Sequence, residues 1–142
     1  MERIINTVIE ELKSGGLDAI RGYDGSELPI LARPLCAVSM ADAVYFPLCA
    51  DNIITKNLSS CSTGLMAESI LLIDVYDDYR HGDGPCVSAA ILAASICSSL
   101  TSTFTCGKIQ LGCVHYHADY DCFCCNIRIP IRVFLARMDR DL

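Results

Sequence analysis

The chain has 142 residues, of which 52% are hydrophobic and 20% charged, with ten cysteines and no tryptophan. A chain of this size buries about 68–70% of its unfolded surface, so it builds a core without staples, and the apolar fraction excludes a disordered or fibrous polymer. Its 11 basic residues stand against 17 acidic ones, a net charge of -6, which argues against binding nucleic acid through the phosphates, because that needs a basic surface.

Residues 2–14 are predicted to form an amphipathic helix. Ile4, Ile5, Val8, Ile9 and Leu12 recur at three-and-four spacing, with Glu2, Glu10, Glu11 and Lys13 on the other face. Gly15-Gly16 supplies the left-handed exit that ends it. Tyr23-Asp24-Gly25-Ser26 is turn chemistry, and Pro29 and Pro34 keep the next segment extended. Residues 35–44 read as a strand with two fairly apolar faces, one carrying Cys36, Val38 and Met40. Pro47, Asp51-Asn52, Asn57 and the run from Ser59 to Gly64 make 47–64 a long loop, with room for one short strand near Ile53-Ile54.

The β-branched and aromatic content of 66–77 predicts a strand. After a polar loop, Asp83 or Gly84 caps a helix that has Pro85 in its first turn. That helix, about 86–102, places Val87, Ala90, Ile91, Ala94, Cys97 and Thr101 on one stripe. Residues 109–117 and 122–135 form a hairpin joined at Ala118-Asp119-Tyr120-Asp121. In its second strand Phe123, Cys125, Ile127, Ile129, Ile131, Val133 and Leu135 alternate with Cys124, Asn126, Arg128, Pro130 and Arg132, the period of an antiparallel strand with one buried face. Pro130 cannot donate to a ladder and points to an edge position or a bulge. The element order gives an α+β class: a mainly antiparallel sheet with a long C-terminal hairpin, packed against an N-terminal and a central helix, in one domain spanning 1–142.

The N-terminus lacks the apolar run of a secretory signal, and the low-charge stretch from Gly84 to Gly107 is broken by serines and Pro85, so it is no membrane span. The expectation is a soluble protein in a reducing compartment, where a free cysteine packs as a small apolar residue. Cys36, Cys86, Cys97, Cys106 and Cys113 have the apolar neighbours this requires, and the adjacent Cys124 and Cys125 point to opposite faces of their strand. A metal is the chemical alternative. With a four-residue turn His117 opposes Cys122 and His115 opposes Cys124, so Cys113, His115, His117, Cys122 and Cys124 share one face and offer zinc its thiolate and imidazole ligands. Against zinc, side chains on a flat ladder spread apart rather than converge on one ion.

No nucleophile, base and orienter form a recognisable set, so no catalytic residue and no cofactor is expected. His81, among Asp77, Asp78 and Asp83, reads as a solvated loop histidine. The acidic run lacks the alternate-oxygen spacing of a calcium loop, and Gly82-Asp83-Gly84 has neither a P-loop lysine nor a dinucleotide fingerprint.

Taken in order, a short amphipathic helix (Ile4 to Leu12), a turn at Tyr23-Asp24-Gly25, an apolar strand after Pro34, a strand with an acidic end (Glu68 to Asp78), a helix (Pro85 to Ser102) and a long hairpin (Ile109 to Leu135) span nearly the whole chain. This pattern resembles the tail terminator, or tail-completion, proteins of long-tailed bacteriophages. The resemblance implies a non-enzymatic α+β subunit made in a bacterial cytoplasm. It would assemble into a hexameric ring within a virion tail. Such a ring caps the tail tube, stops its polymerisation and meets the head-side connector, so the implied partners are further copies, the tail tube protein and the connector. Arg128, Arg132, Arg137 and Arg140 concentrate positive charge near the C-terminus as interface candidates, and the second faces of 35–44 and 70–76 are candidates for self-contact. A reading from a different class is a small cytoplasmic zinc-binding or thiol-redox domain built on the Cys/His-rich hairpin.

Overall fold

A computed structural model describes residues 2–22, 31–41, 43–47 and 64–136. Helix α1 (Glu2–Ser14) buries Ile4, Val8, Ile9 and Leu12, the expected stripe. It ends as the glycine pair requires: Gly16 takes φ 92, and the Leu17 N–H folds back to donate to the Leu12 carbonyl. Strand β1 (Asp18–Arg21) follows at once and runs parallel to β2 (Leu35–Met40), with Ala19 beside Cys36.

After β3 (Val44–Pro47) come the long β4 (Gly64–Asp78), a single 3-10 turn (Tyr79–His81) and helix α2 (Gly84–Ser98). Three short strands follow, β5 (Thr105–Cys106), β6 (Gln110–Leu111) and β7 (His115–His117), and then β8 (Cys122–Ala136). Strands β4 and β8 pair antiparallel along their whole length, from Gly64 opposite Ala136 to Asp78 opposite Cys122. Strands β2 and β3 lie end to end on the far edge of β4, while β5, β6 and β7 lie end to end along the outer edge of β8. The class is mixed α+β with a mostly antiparallel sheet, as the element order implies.

Both helices cover one face of this sheet. Leu71, Ile73 and Val75 of β4 and Ile127, Ile129 and Ile131 of β8 meet Val8 and Leu12 of α1 and the alanines of α2 there. Burying each such aliphatic side chain contributes about 1.5–3 kcal/mol before conformational entropy is counted, which makes this layer the main source of stability. Among the described residues the opposite face is covered only toward one end, where Leu31, Leu35, Ala37, Tyr76, Cys122 and Cys124 form a second, smaller cluster.

Four differences from the expectations have physical causes. The strand expected over 35–44 stops at Met40, and Val44 opens β3 instead. The strand expected over 109–117 is broken into β6 and β7, because at Gly112 the chain bonds to β8 through a single N–H to the Asn126 carbonyl and then leaves the ladder. Helix α2 runs over 84–98 rather than 86–102, with Asp83 at its N-cap position but making no side-chain cap bond. Its buried residues are Cys86, Ala89, Ala90, Ala93, Ala94 and Cys97, whereas Ile91 is 57% and Leu92 42% exposed. A helix without a charged residue has no polar face to fix its rotation; the alanines face inward because they let it approach the sheet closely.

Pro130 lies neither on an edge strand nor at a bulge, since β8 runs between β4 and β5 and its register on β4 is unbroken. Strand β8 is fully paired to β4 on one side, and the nitrogen of Pro130 faces the other side. There the ladder is interrupted between β5 and β6, and Gly107 donates to the Pro130 carbonyl at 2.7 Å. The turn at 23–26, Pro29, the 48–63 part of the expected loop with its strand near Ile53-Ile54, and the residues beyond 136 lie outside the described residues.

Candidate functional site

The Cys/His face of the hairpin has the expected register: His117 opposes Cys122 and His115 opposes Cys124 across a four-residue turn in which Asp121 takes φ 54. The ladder nevertheless separates the five side chains. Cys122 and Cys124 are buried in the small cluster, where Cys122 donates to the Tyr120 carbonyl at 3.3 Å. Burial pushes the Cys124 thiol up to about 12, aided by the Asp74 charge, and burial also raises Cys122. His117 stacks on Tyr120 with ring centroids 4.4 Å apart, and its Nδ1 is buried without a hydrogen-bond partner. Cys113 and His115 stand exposed outside that cluster, His115 Nδ1 lying 3.3 Å from the Cys113 carbonyl. Among the described residues no three His, Cys, Asp or Glu side chains are grouped to hold a metal ion.

One spacing of chemical interest escapes the sequence reading. Cys122 and Cys125 stand three apart as C-x-x-C, the signal that a motif scan would find. In an extended strand an odd offset sends the two to opposite faces. Cys122 enters the small cluster and Cys125 the main core, so they form no pair. The other core thiols are equally inert: burial pushes Cys36, Cys86 and Cys97 up to about 12, far from the thiolate that nucleophilic or ligand chemistry needs.

The acidic end of β4 is organised rather than solvated. Asp77 is fully buried, and His81 Nδ1 reaches back across the 3-10 turn to both carboxylate oxygens at 3.1 and 3.2 Å. His81 is exposed, as a solvated loop histidine is, but its ring is also paired to Asp77. An imidazole oriented by a buried carboxylate supplies two of the three members of a catalytic triad. The nearby thiol of Cys86, however, turns away to donate to the Val75 carbonyl at 3.3 Å. Asp78 accepts from the Arg80 backbone N–H at 2.9 Å and from its guanidinium at 3.0 and 2.8 Å, and these bonds hold its carboxyl down at about 2. The whole segment is a pinned turn that hands the chain from β4 to α2.

The uncovered part of the sheet face holds two of the four interface arginines. Arg132 bonds to Glu68, its cross-strand neighbour on β4, at 2.9 and 2.6 Å. Arg128 is exposed opposite Leu72, and one step along Asn126 donates to Asp74. Arg137 and Arg140 lie outside the described residues. Of the strand faces expected to serve self-contact, Leu35, Ala37 and Tyr76 are taken up by the small cluster, whereas Ile70 and Leu72 stay half-buried on the open face. Shallow clefts of about 270 and 590 Å³ flank Arg132 and Arg128 where β5 and β6 leave β8.

Large apolar side chains stand in solvent at several places, among them Ile20, Leu111 and Phe134. They adjoin one another on two elements: Val44, Tyr45 and Phe46 are all exposed on β3, a strand paired among the described residues only to β4, and Ile91 and Leu92 are exposed on α2. Among the described residues no helix is long and apolar enough to cross a membrane. No protein-family model matches the chain, and no curated protein matches its sequence.

Proposed function

We propose that the chain is a non-enzymatic structural subunit of a phage or prophage tail, akin to tail terminators. Copies join into a ring that caps the tail tube and meets the head-side connector. The observation that carries this reading is apolar surface on two separate elements: three consecutive exposed residues on β3, which among the described residues pairs only with β4, and the uncharged outer face of α2. A ring is closed by heterologous contacts, in which one surface of each subunit meets a different surface of the next. An exposed apolar strand and an exposed apolar helix face supply two such surfaces, each of a kind that isolated soluble domains cover. The chemistry of the interior agrees with a structural role, because the core thiols are held protonated.

Negative-stain electron microscopy of the purified protein tests this directly. Closed rings are expected for the natural sequence, with their loss in Ile91→Glu, whose side chain is too exposed for the fold to depend on it. Rings that persist in Ile91→Glu and in Tyr45→Glu would refute the assignment of the contact surfaces.

A further inference from the structure

The open sheet face has a symmetry that the register makes explicit. Along β4 it presents Met66, Glu68 and Ile70, and directly opposite on β8 it presents Phe134, Arg132 and Pro130. Each rung therefore sets complementary partners side by side: apolar with apolar, acid with base. Consider a second copy turned by 180° about an axis lying over this face, between the two strands and parallel to them. Its β8 then lies over β4 at the same height. Met66 meets the partner's Phe134, Glu68 meets the partner's Arg132, and Ile70 meets the partner's Pro130.

We infer that this sheet face docks on the same face of a second copy of the chain, the two Glu68 and two Arg132 side chains closing a four-charge network at the centre. Charge selects this occupant. With a net charge of -6 the chain repels its own kind over most approaches. Here, however, Glu68 and Asp74 balance Arg128 and Arg132 in number, and the two-fold rotation sets Glu68 against the partner's Arg132, Leu72 against the partner's Arg128 and Asp74 against the partner's Asn126. Size fits as well. Four strand columns spaced about 4.8 Å apart and about ten residues long give a patch near 600 Å² per copy. The total of about 1,200 Å² reaches the lower bound of specific interfaces. Two twisted sheets stacked about 10 Å apart make an ordinary β-sandwich layer. The contact is isologous, so it pairs two copies, or two rings, and goes beyond the ring reading rather than supplying its closing contact.

Light scattering coupled to size exclusion, run on the full chain at micromolar concentration, tests the pairing through three variants. Phe134 is 59% exposed, so Phe134→Lys should keep the natural circular dichroism spectrum and melting curve while halving the particle mass. Arg132→Glu should also halve it, by setting four carboxylates together. The exchange Glu68→Arg with Arg132→Glu rebuilds the network in reverse and should restore the full mass. A natural chain at 15.5 kDa, a Phe134→Lys mass equal to the natural one, or an exchange variant that stays at half mass would each overturn the inference. A ring mass unchanged by Phe134→Lys removes this contact and leaves the ring, whereas a two-chain particle that falls to one chain keeps the contact and removes the ring.

Discussion

Replacing His81 by alanine takes away a hydrogen-bond partner recorded on a fully buried carboxylate. Asp77 has no exposed surface, and His81 Nδ1 lies within 3.2 Å of both its oxygens. Leaving a buried acceptor without its hydrogen-bond partner costs about 1–3 kcal/mol. His81 keeps 36% of its side chain in solvent, so water enters the vacated space, and the expected loss is about 2 kcal/mol. At about 2–4 °C per kcal/mol for a chain near this size, the melting temperature falls by about 4–8 °C. Urea unfolding followed by circular dichroism should show a lower midpoint at unchanged slope, since the surface exposed on unfolding is the same. Adding Asp77→Asn to His81→Ala removes the stranded charge and should recover part of the loss. A His81→Ala variant within about 0.5 kcal/mol of the natural chain, the range of ordinary surface substitutions, would refute the claim that the pair pins the β4–α2 turn.

Three further outcomes follow from the same structure. Ile129 is completely buried between the sheet and the helices, so Ile129→Ala should cost about 2–5 kcal/mol in chemical denaturation through lost burial and the cavity left behind. Asp78 has a native pKa of about 2 against an ordinary 3.8, so the unfolded chain takes up its proton first as pH falls. Its contribution is complete above about pH 4 and is lost as the pH drops toward 2, and Asp78→Asn should show a shallower loss of stability across that window. Cys113 is exposed while Cys124 is buried with its thiol at about 12. Cys113→Ser should therefore remove one fast-reacting equivalent of Ellman's reagent and Cys124→Ser none; a full equivalent of zinc in the purified protein would contradict the packing account of the hairpin thiols.

What could be read from the sequence divides along a physical line. Helix α1 was legible because its charges fix which side faces water, and β8 because its alternation runs unbroken from Phe123 to Val133. The pairing of His115 and His117 with Cys124 and Cys122 followed from turn length alone. Helix α2 was placed, and Ala90, Ala94 and Cys97 face inward as expected, but Ile91 does not, since without a polar face only tertiary packing chooses the helix's rotation. Strand β1 left no pattern, being four residues with one fully buried. The Asp77–His81 pair was hidden for another reason: it joins a strand end to the turn that follows, and the geometry of that turn is set by the Asp78–Arg80 bonds rather than by any periodicity. The complementary rungs of the open face became visible only once the register of β4 on β8 was known.

On the proposed reading, the apolar side chains left in solvent on β3 and α2 are the contacts of a ring-forming structural subunit. Light scattering of the purified protein across a concentration series up to hundreds of micromolar tests it most directly. A closed ring requires a discrete particle of several chains whose mass stays constant over the upper range. A mass that remains at 15.5 kDa throughout, or one that grows without limit as an open filament would, contradicts it.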